Sequence, residues 1–138
     1  MSSDFTVPDD PFLTPLMTAL KRYPKRLVFT EGEDDRVLQV AGVLASRELA
    51  IPILLGRVEA ISESAQALGI DLSFIRLIDP SESPEGERFT QYFERSERIR
   101  GNRIADAGEM IKRPHYFGAM MLQYGQADGL VCGNQSVP

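Results

Sequence analysis

The chain has 138 residues, 43% of them hydrophobic and 25% charged, with 15 Lys and Arg against 20 Asp and Glu for a formal net charge of −5. That length suits one compact α/β-sized domain spanning 1–138, and that mixture belongs to a folded globular protein, not a disordered one. The negative balance excludes a broad electrostatic attraction to nucleic acid or anionic lipid, so any anion must be bound locally.

Phe12, Leu13, Leu16, Met17 and Leu20 recur at helical spacing between Pro11 and Arg22 before Tyr23-Pro24 breaks the run, which predicts an amphipathic leading helix. Arg26-Leu27-Val28-Phe29-Thr30 follows as a short apolar run left through Glu31-Gly32-Glu33, the pattern of a buried parallel strand. Asp34 and Asp35 suit the positive end of a helix dipole, and the helix they open carries Val37, Leu38, Val40, Ala41 and Leu44 as its expected inner face. The cadence repeats with a strand at Ile51–Leu55, the exit Gly56-Arg57, and a helix from Val58 to Leu68 ended by Gly69.

A third strand is expected over Phe74–Ile78, leaving through Asp79-Pro80-Ser81. A longer helix near Glu87–Arg100 stops at Gly101, a shorter one runs from about Arg103 to Ile111, and Pro114 opens another that ends at Tyr124-Gly125. Asp128–Gly133 reads as the last strand, followed by the loop Asn134-Gln135-Ser136. Strands alternating with helices predict a doubly wound, mostly parallel sheet with helices on both faces, a three-layer sandwich. Ligands in such folds bind beyond the carboxyl ends of the strands. Four loops become candidates on that ground: Thr30–Asp35, Gly56-Arg57, Asp79–Ser81 and Gly133–Ser136.

The single Cys132 leaves no internal disulfide, and no paired Cys and His residues have zinc spacing, so no metal is expected and a reducing cytoplasm fits. Neither an export signal nor a membrane-length apolar run is visible. The acidic loop Glu31-Gly32-Glu33-Asp34-Asp35 suits metal ligation or, more economically, helix capping and dipole compensation. Gly32 lets the backbone turn and also lets an anion approach main-chain amides, although the flanking acids oppose that. Gly56-Arg57 is equally a tight turn or a guanidinium placed for phosphate. Arg95, Arg98, Arg100 and Arg103 suit the phosphates of a nucleotide-like ligand, or, interleaved with Glu94 and Glu97, a solvated ion-paired face. Cys132 and His115 suit a thiolate and imidazole couple less well than a buried strand cysteine and a helix-start histidine. Tyr116, Phe117, Met120, Met121 and Tyr124 should be core, with Gly118-Ala119 permitting close packing. No glycine-rich nucleotide fingerprint and no Gly-Xaa-Ser-Xaa-Gly elbow occurs.

Taken together, several segments go further. Arg26 to Leu38 closely resembles the opening strand and helix of phosphotransacetylases and phosphotransbutyrylases, the phosphate acetyl- and butyryltransferases. Ile51–Gly56, Gly69-Ile70-Asp71-Leu72, Ile78-Asp79-Pro80 and Arg100-Gly101 resemble later pieces of that family in the same order. The most specific likeness is Tyr116–Met121 followed by Gly125–Gly133. The likeness spans Phe12 to Gly133 and accounts for less than half of a complete member, so the chain is expected to be the amino-terminal part of one.

The resemblance implies transfer of an acyl group between the coenzyme A sulfur and inorganic phosphate, by thiol attack on an acyl phosphate in a cleft between two α/β domains. Coenzyme A or acyl-CoA enters as substrate, and no cofactor is held permanently. The family's serine, arginine and aspartate group lies beyond Pro138, so the isolated chain is expected to be inactive and its catalytic residues are unassigned. By the same resemblance Arg98, Arg95 and Arg100 are the candidates for coenzyme A binding. The loop Gly133, Asn134, Gln135 and Ser136 resembles one that borders the family's active site, and with Glu31, Gly32, Gly56 and Arg57 of the other strand exits it makes up the expected substrate-cleft loops. Family members usually carry small residues, His and Ser-Thr after the last strand, and Asn134-Gln135-Ser136-Val137-Pro138 departs from that, which bears on acetyl phosphate as the substrate. Because members are commonly homodimers, the likeness extends to a homodimer. Three other readings stand beside this one: a regulatory module like the carboxyl-terminal part of bacterial malic enzymes, a non-catalytic module binding coenzyme A or a partner protein, and a shortened piece with an exposed apolar patch. The opening Met1 and leading helix favour a free-standing protein over the malic enzyme arrangement.

Overall fold

The computed structural model describes residues 9–135. Four strands form one sheet: β1 (Lys25–Phe29), β2 (Ala50–Leu55), β3 (Arg76–Ile78) and β4 (Gly129–Val131). Their order is β3-β2-β1-β4, and all three pairings are parallel. Six helices connect or precede them: α1 (Leu13–Arg22), α2 (Asp35–Ser46), α3 (Val58–Leu68), α4 (Gly86–Ile99), α5 (Ala107–Ile111) and α6 (Pro114–Gln123).

Strand side chains alternate between faces, and β1 and β2 are apolar on both, so each strand feeds two cores. In the β1–β2 register Val28 stands opposite Ile53 and Phe29 opposite Leu54. Val28 and Ile53 pack with Phe89, Ile111, Phe117, Met120 and Met121 of α4, α5 and α6. Phe29 and Leu54 pack on the other side with Leu38, Ala41, Ile61 and Ala65 of α2 and α3. The sheet is therefore covered on both faces, as the alternation of elements predicts. Phe89 is fully buried, edge-on to Phe117 at 5.0 Å between ring centroids and stacked on Tyr124 at 5.3 Å. Burying a phenylalanine of this kind contributes about 2–3 kcal/mol.

The helix ends follow their local chemistry. Asp34 caps α2 by accepting from the Arg36 N–H at 2.8 Å, and Gly69 closes α3 in the left-handed region at φ 69°. Asp106 accepts from the Glu109 N–H at 3.1 Å, so α5 begins at Ala107 and not near Arg103 as the sequence suggests.

Two helices set the geometry of the carboxyl edge. α6 runs against the strands: Gly118 lies beside the end of β1, near Thr30, while the Gly125 carbonyl accepts from Arg26 Nη2 at 2.9 Å at the start of β1. The approach is close because residue 118 lacks a side chain; a Cβ there would stand 2.6 Å from Leu130 Cδ1 and 3.3 Å from Val28 Cγ1. α4 runs antiparallel to α6, since Phe89 meets Tyr124 whereas Phe93 meets Tyr116 at 5.6 Å. It therefore runs along the strand direction, and its carboxyl end, with Arg95, Arg98 and Arg100, lies toward the same edge as the strand exits.

Several expectations are corrected. Val40 is 51% exposed on the far side of α2 from Leu38 and Ala41, because those two already fill the stripe that faces the sheet. Phe74 is 76% exposed and precedes β3; Ile75 carries the burial there. β4 ends at Val131, which leaves Cys132 exposed in the exit loop and not buried in a strand. α1 is amphipathic as expected, yet none of its residues is buried, and Leu16 and Leu20 remain exposed together with the flanking Phe12 and Tyr23.

Candidate functional site

All four strand exits reach one edge, and main-chain bonds order them. Gly32 donates to the Leu55 carbonyl at 3.0 Å, Gly56 to the Ile78 carbonyl at 3.0 Å, and Thr30 to the Val131 carbonyl at 3.1 Å. Gly32 has no room for more, since a Cβ would stand 2.7 Å from the Leu55 carbonyl oxygen and 2.9 Å from Leu54 Cβ. Gly56 has φ +154°, and a Cβ there would meet Glu33 Cγ at 2.9 Å.

The charged side chains of this edge bind one another. Glu33 Oε1 accepts from Arg57 Nε at 2.9 Å and Nη2 at 2.7 Å, so the Arg57 guanidinium is turned onto the β1 exit and held charged above its ordinary value by that carboxylate. The pair is well exposed and is screened by solvent. Asp34 is the hub of the loop, with a nearly buried side chain. Its Oδ1 accepts from the Arg36 main-chain N–H and Nε, and its Oδ2 accepts from Arg36 Nη2 at 3.0 Å, Asn134 Nδ2 at 2.7 Å and Gln135 Nε2 at 2.7 Å. The Arg36 guanidinium, then the Gln135 amide, hold this carboxyl well below the usual carboxylate range.

Glu31 completes the clasp. Its Oε2 accepts from the Asn134 main-chain N–H and its Oε1 from the Gln135 main-chain N–H, both at 2.7 Å. Four bonds thus tie the β4 exit to the β1 exit. The structure brings together Glu31, Gly32, Gly56, Arg57, Gly133, Asn134 and Gln135; Ser136 lies outside the described residues. At the β3 exit, Asp79 Oδ1 accepts from the Ser81 N–H at 2.9 Å and its hydroxyl at 2.6 Å, which folds that loop on itself.

Arg95, Arg98 and Arg100 are exposed at the end of α4. Arg100 pairs with Glu97 at 3.2 Å, and Glu97 also accepts from Asn102 Nδ2 at 2.7 Å, so part of the expected ion-paired face exists. Arg95 and Arg98 carry their charge into solvent. A cavity of about 350 Å³ lies under the β3 exit, lined by Val58, Ile78, Phe117 and the carboxylates of Asp79, Glu82 and Glu85 against the single cation of Arg76. That lining repels phosphate. Among the described residues no cluster of three His, Cys, Asp or Glu side chains stands ready for a metal ion, and no helix is long and apolar enough to cross a membrane.

Two residues of this edge escape a reading of local sequence. Asp34 looks like a helix cap, and only its distant carboxamide partners show it to be the hub. Thr30 looks like a strand end, yet its hydroxyl is buried without a hydrogen-bond partner among the described residues. The available signal is a carboxylate run and a carboxamide pair at two exits of one edge.

Comparison with known proteins agrees with this geometry. The family model described as phosphate acetyl/butaryl transferase matches residues 11–137. A phosphate acetyltransferase of Nitratidesulfovibrio vulgaris is 33% identical over 118 residues, which cover 86% of this chain but 17% of that protein. The NADP-dependent malic enzyme of Escherichia coli is 31% identical over 135 residues, 95% of this chain and 18% of that protein. The solved EutD phosphotransacetylase from Staphylococcus aureus superposes with a TM-score of 0.74 at 36% identity, covering 86% of this chain and 37% of that one. The chain spans well under half the length of each protein it matches here. With its four parallel strands, two helical layers and a match running from the leading helix to the β4 exit, the chain belongs to the phosphate acetyl/butaryl transferase family.

Proposed function

We propose that this chain is a single α/β domain, the amino-terminal part of a phosphate acyltransferase, and that it supplies one wall of a cleft for acyl transfer between coenzyme A and inorganic phosphate. The observation that carries the reading is the family match over residues 11–137. The convergence of the strand exits and of the arginine-bearing end of α4 on one edge supports it. In this reading Arg98, Arg95 and Arg100 meet the phosphates of coenzyme A, for which exposed guanidiniums offer forked donors at low desolvation cost. The exits carrying Glu31, Gly32, Gly56, Arg57, Gly133, Asn134, Gln135 and Ser136 form the floor against which an acyl phosphate lies. The work of such a wall is positioning: two anionic substrates are brought into reach while the groups that remove the thiol proton and stabilise the carbonyl oxygen come from outside these 138 residues. The substrates are coenzyme A, acyl phosphate and phosphate, in the cytoplasm, with a homodimer as the assembly.

A second reading is a regulatory coenzyme A-binding module, favoured by the similarity to a malic enzyme over 95% of the chain. Calorimetry with coenzyme A on the parent chain and on an Arg95, Arg98 and Arg100 triple alanine variant tests the proposal. Binding that the variant loses supports it, and absence of binding by the parent chain overturns the half-cleft. A sensitive assay for acyl transfer separates the transferase from the regulatory module.

A further inference from the structure

Helix α1 turns an apolar seam to solvent. Leu13, Leu16, Leu20 and Tyr23 follow one another at intervals of three, four and three residues, the spacing at which two helices pack side by side, with Phe12 and Met17 on the flanks. Leu16, Leu20 and both rings are exposed, Phe12 at 74% and Tyr23 at 66%, while Leu13 and Met17 are half-buried. No residue of the helix is buried, so its own domain leaves the seam uncovered. The seam has unlike ends. Asp9 and Asp10 precede it, and Lys21 and Arg22 close its last turn. Such charges suit the dipole of α1 itself. Among the described residues, none of these four side chains takes part in an ion pair.

We propose that α1 is an interface with a second copy of this chain, in which two α1 helices pack antiparallel with Leu16 of each against Leu20 of the other. The charges at the ends select this occupant. A copy turned end for end brings Asp9 and Asp10 of one chain toward Lys21 and Arg22 of the other at both ends of the seam, as a two-fold axis requires. A parallel pair sets acid beside acid and base beside base. A lipid surface fits less well, because an anionic one attracts only the basic end and repels Asp9, Asp10 and a chain of net charge −5. Each seam also covers the other, so the assembly closes at two chains. The seam offers six apolar residues a side, against about 20–30 residues in a standard interface, so the pairing is weak, with a dissociation constant on the order of micromolar to millimolar. It gives the homodimer of the proposed function a surface and rests on that reading in this respect alone. α1 joins β1 at the strand starts, the edge opposite the exits.

The test is sedimentation velocity on the parent chain from about 10 μM to about 1 mM, the range such an affinity spans, beside Leu16→Glu/Leu20→Glu. The parent should pass from monomer to dimer over that range, and the double variant should need at least about a tenfold higher concentration for the same dimer fraction. Both leucines are exposed, so the variant keeps its fold, which circular dichroism checks; if it does not, Phe12→Ser repeats the test. Orientation is read by a nitroxide on an Asp9→Cys/Cys132→Ser chain mixed with 15N-labelled parent chain. Amides of residues 20–23 should broaden while those of residues 12–14 stay sharp, and the reverse pattern overturns the antiparallel pair. A parent chain that stays monomeric throughout overturns the interface, as does capture of that monomer by phosphatidylcholine or phosphatidylglycerol vesicles in place of dimerisation. Equal dimerisation of parent and variant overturns it too, while leaving a homodimer through another surface. Coenzyme A calorimetry on the same parent sample reads the cleft independently of each result.

Discussion

Arg26 and Asp128 join the starts of β1 and β4 with main chain and side chain together. The Arg26 N–H donates to Asp128 Oδ2 at 2.8 Å, its Nε reaches the same oxygen at 3.2 Å, and the Asp128 N–H donates to the Arg26 carbonyl at 2.8 Å. Substituting Asp128 with Ala removes both side-chain acceptors while leaving the main-chain bond. A lower urea midpoint and faster hydrogen exchange at the Arg26 amide are expected; unchanged exchange there would show that β4 docks without this contact.

The same pair gives the molecule a pH dependence. Asp128 is held below its ordinary value of 3.8 by Arg26, Asp71 by the Ser73 hydroxyl and N–H, and Asp34 by Arg36. The unfolded chain therefore binds these protons at higher pH than the native one. Their stabilisation is fully present above the ordinary carboxylate value and is lost as pH falls through the depressed native values. Urea midpoints should stay level near neutrality and decline below about pH 4. Asp128→Asn should flatten that decline, and a parallel curve for the variant would contradict the assignment.

Thr30 offers a stabilising substitution. Its hydroxyl is buried without a hydrogen-bond partner among the described residues, and an unsatisfied buried polar group costs about 1–3 kcal/mol. Thr30→Val keeps the shape and β-branching, retains the N–H bond to Val131, and should raise stability by about 1 kcal/mol in denaturant unfolding. A loss of stability would mean that the hydroxyl has a partner in solution, and an ordered water would be the first to seek.

Gly32→Ala should destabilise by about 1–3 kcal/mol, the usual effect of overpacking, because the atom its Cβ meets at 2.7 Å is backbone that cannot rotate away. Shifts of the neighbouring Leu55 and Gly56 amides would mark the strain, and a neutral variant would place more room at this turn.

Phe89→Ala should cost about 3–5 kcal/mol, since the ring is fully buried between Phe117 and Tyr124. The effect should reach the far end of α4, because Phe89 and Phe93 together anchor that helix on α6. Increased exchange at the amides of Ile99 and Arg100 would report it.

The fold was largely legible because each strand exit is punctuated by glycine or acid, and because α2 and α5 open on capping aspartates and α6 on a proline. Asp34, Gly69, Gly101 and Pro114 all act where the local sequence says they should. Periodicity was less informative about which face is covered. Val40 fits the apolar stripe of α2 in a helical plot and is exposed, because the width of the covered stripe is decided by the sheet beneath it. The candidate edge was legible as a set of loops, from the rule that parallel strands place ligands at their carboxyl ends. Its bonding was not: Glu31 and Asp34 meet Asn134 and Gln135 across about a hundred residues, and no local pattern carries the register of β1 against β4. The direction of α4 was hidden for the same reason, since it depends on ring contacts with a helix still to come.

The position of β1 in the sheet has a kinetic consequence. It pairs on one side with β2, which follows it closely in the chain, and on the other with β4, where Arg26 and Asp128 are 102 residues apart. The first pairing closes a short loop and the second a long one, so the β1–β2 unit with α2 can form during synthesis while the far side of β1 waits for its neighbour. The Glu31 and Asp34 clasp needs the residues after β4, so the candidate edge is ordered only once that distant segment arrives, and a nascent chain has its scaffold before it has its clasp.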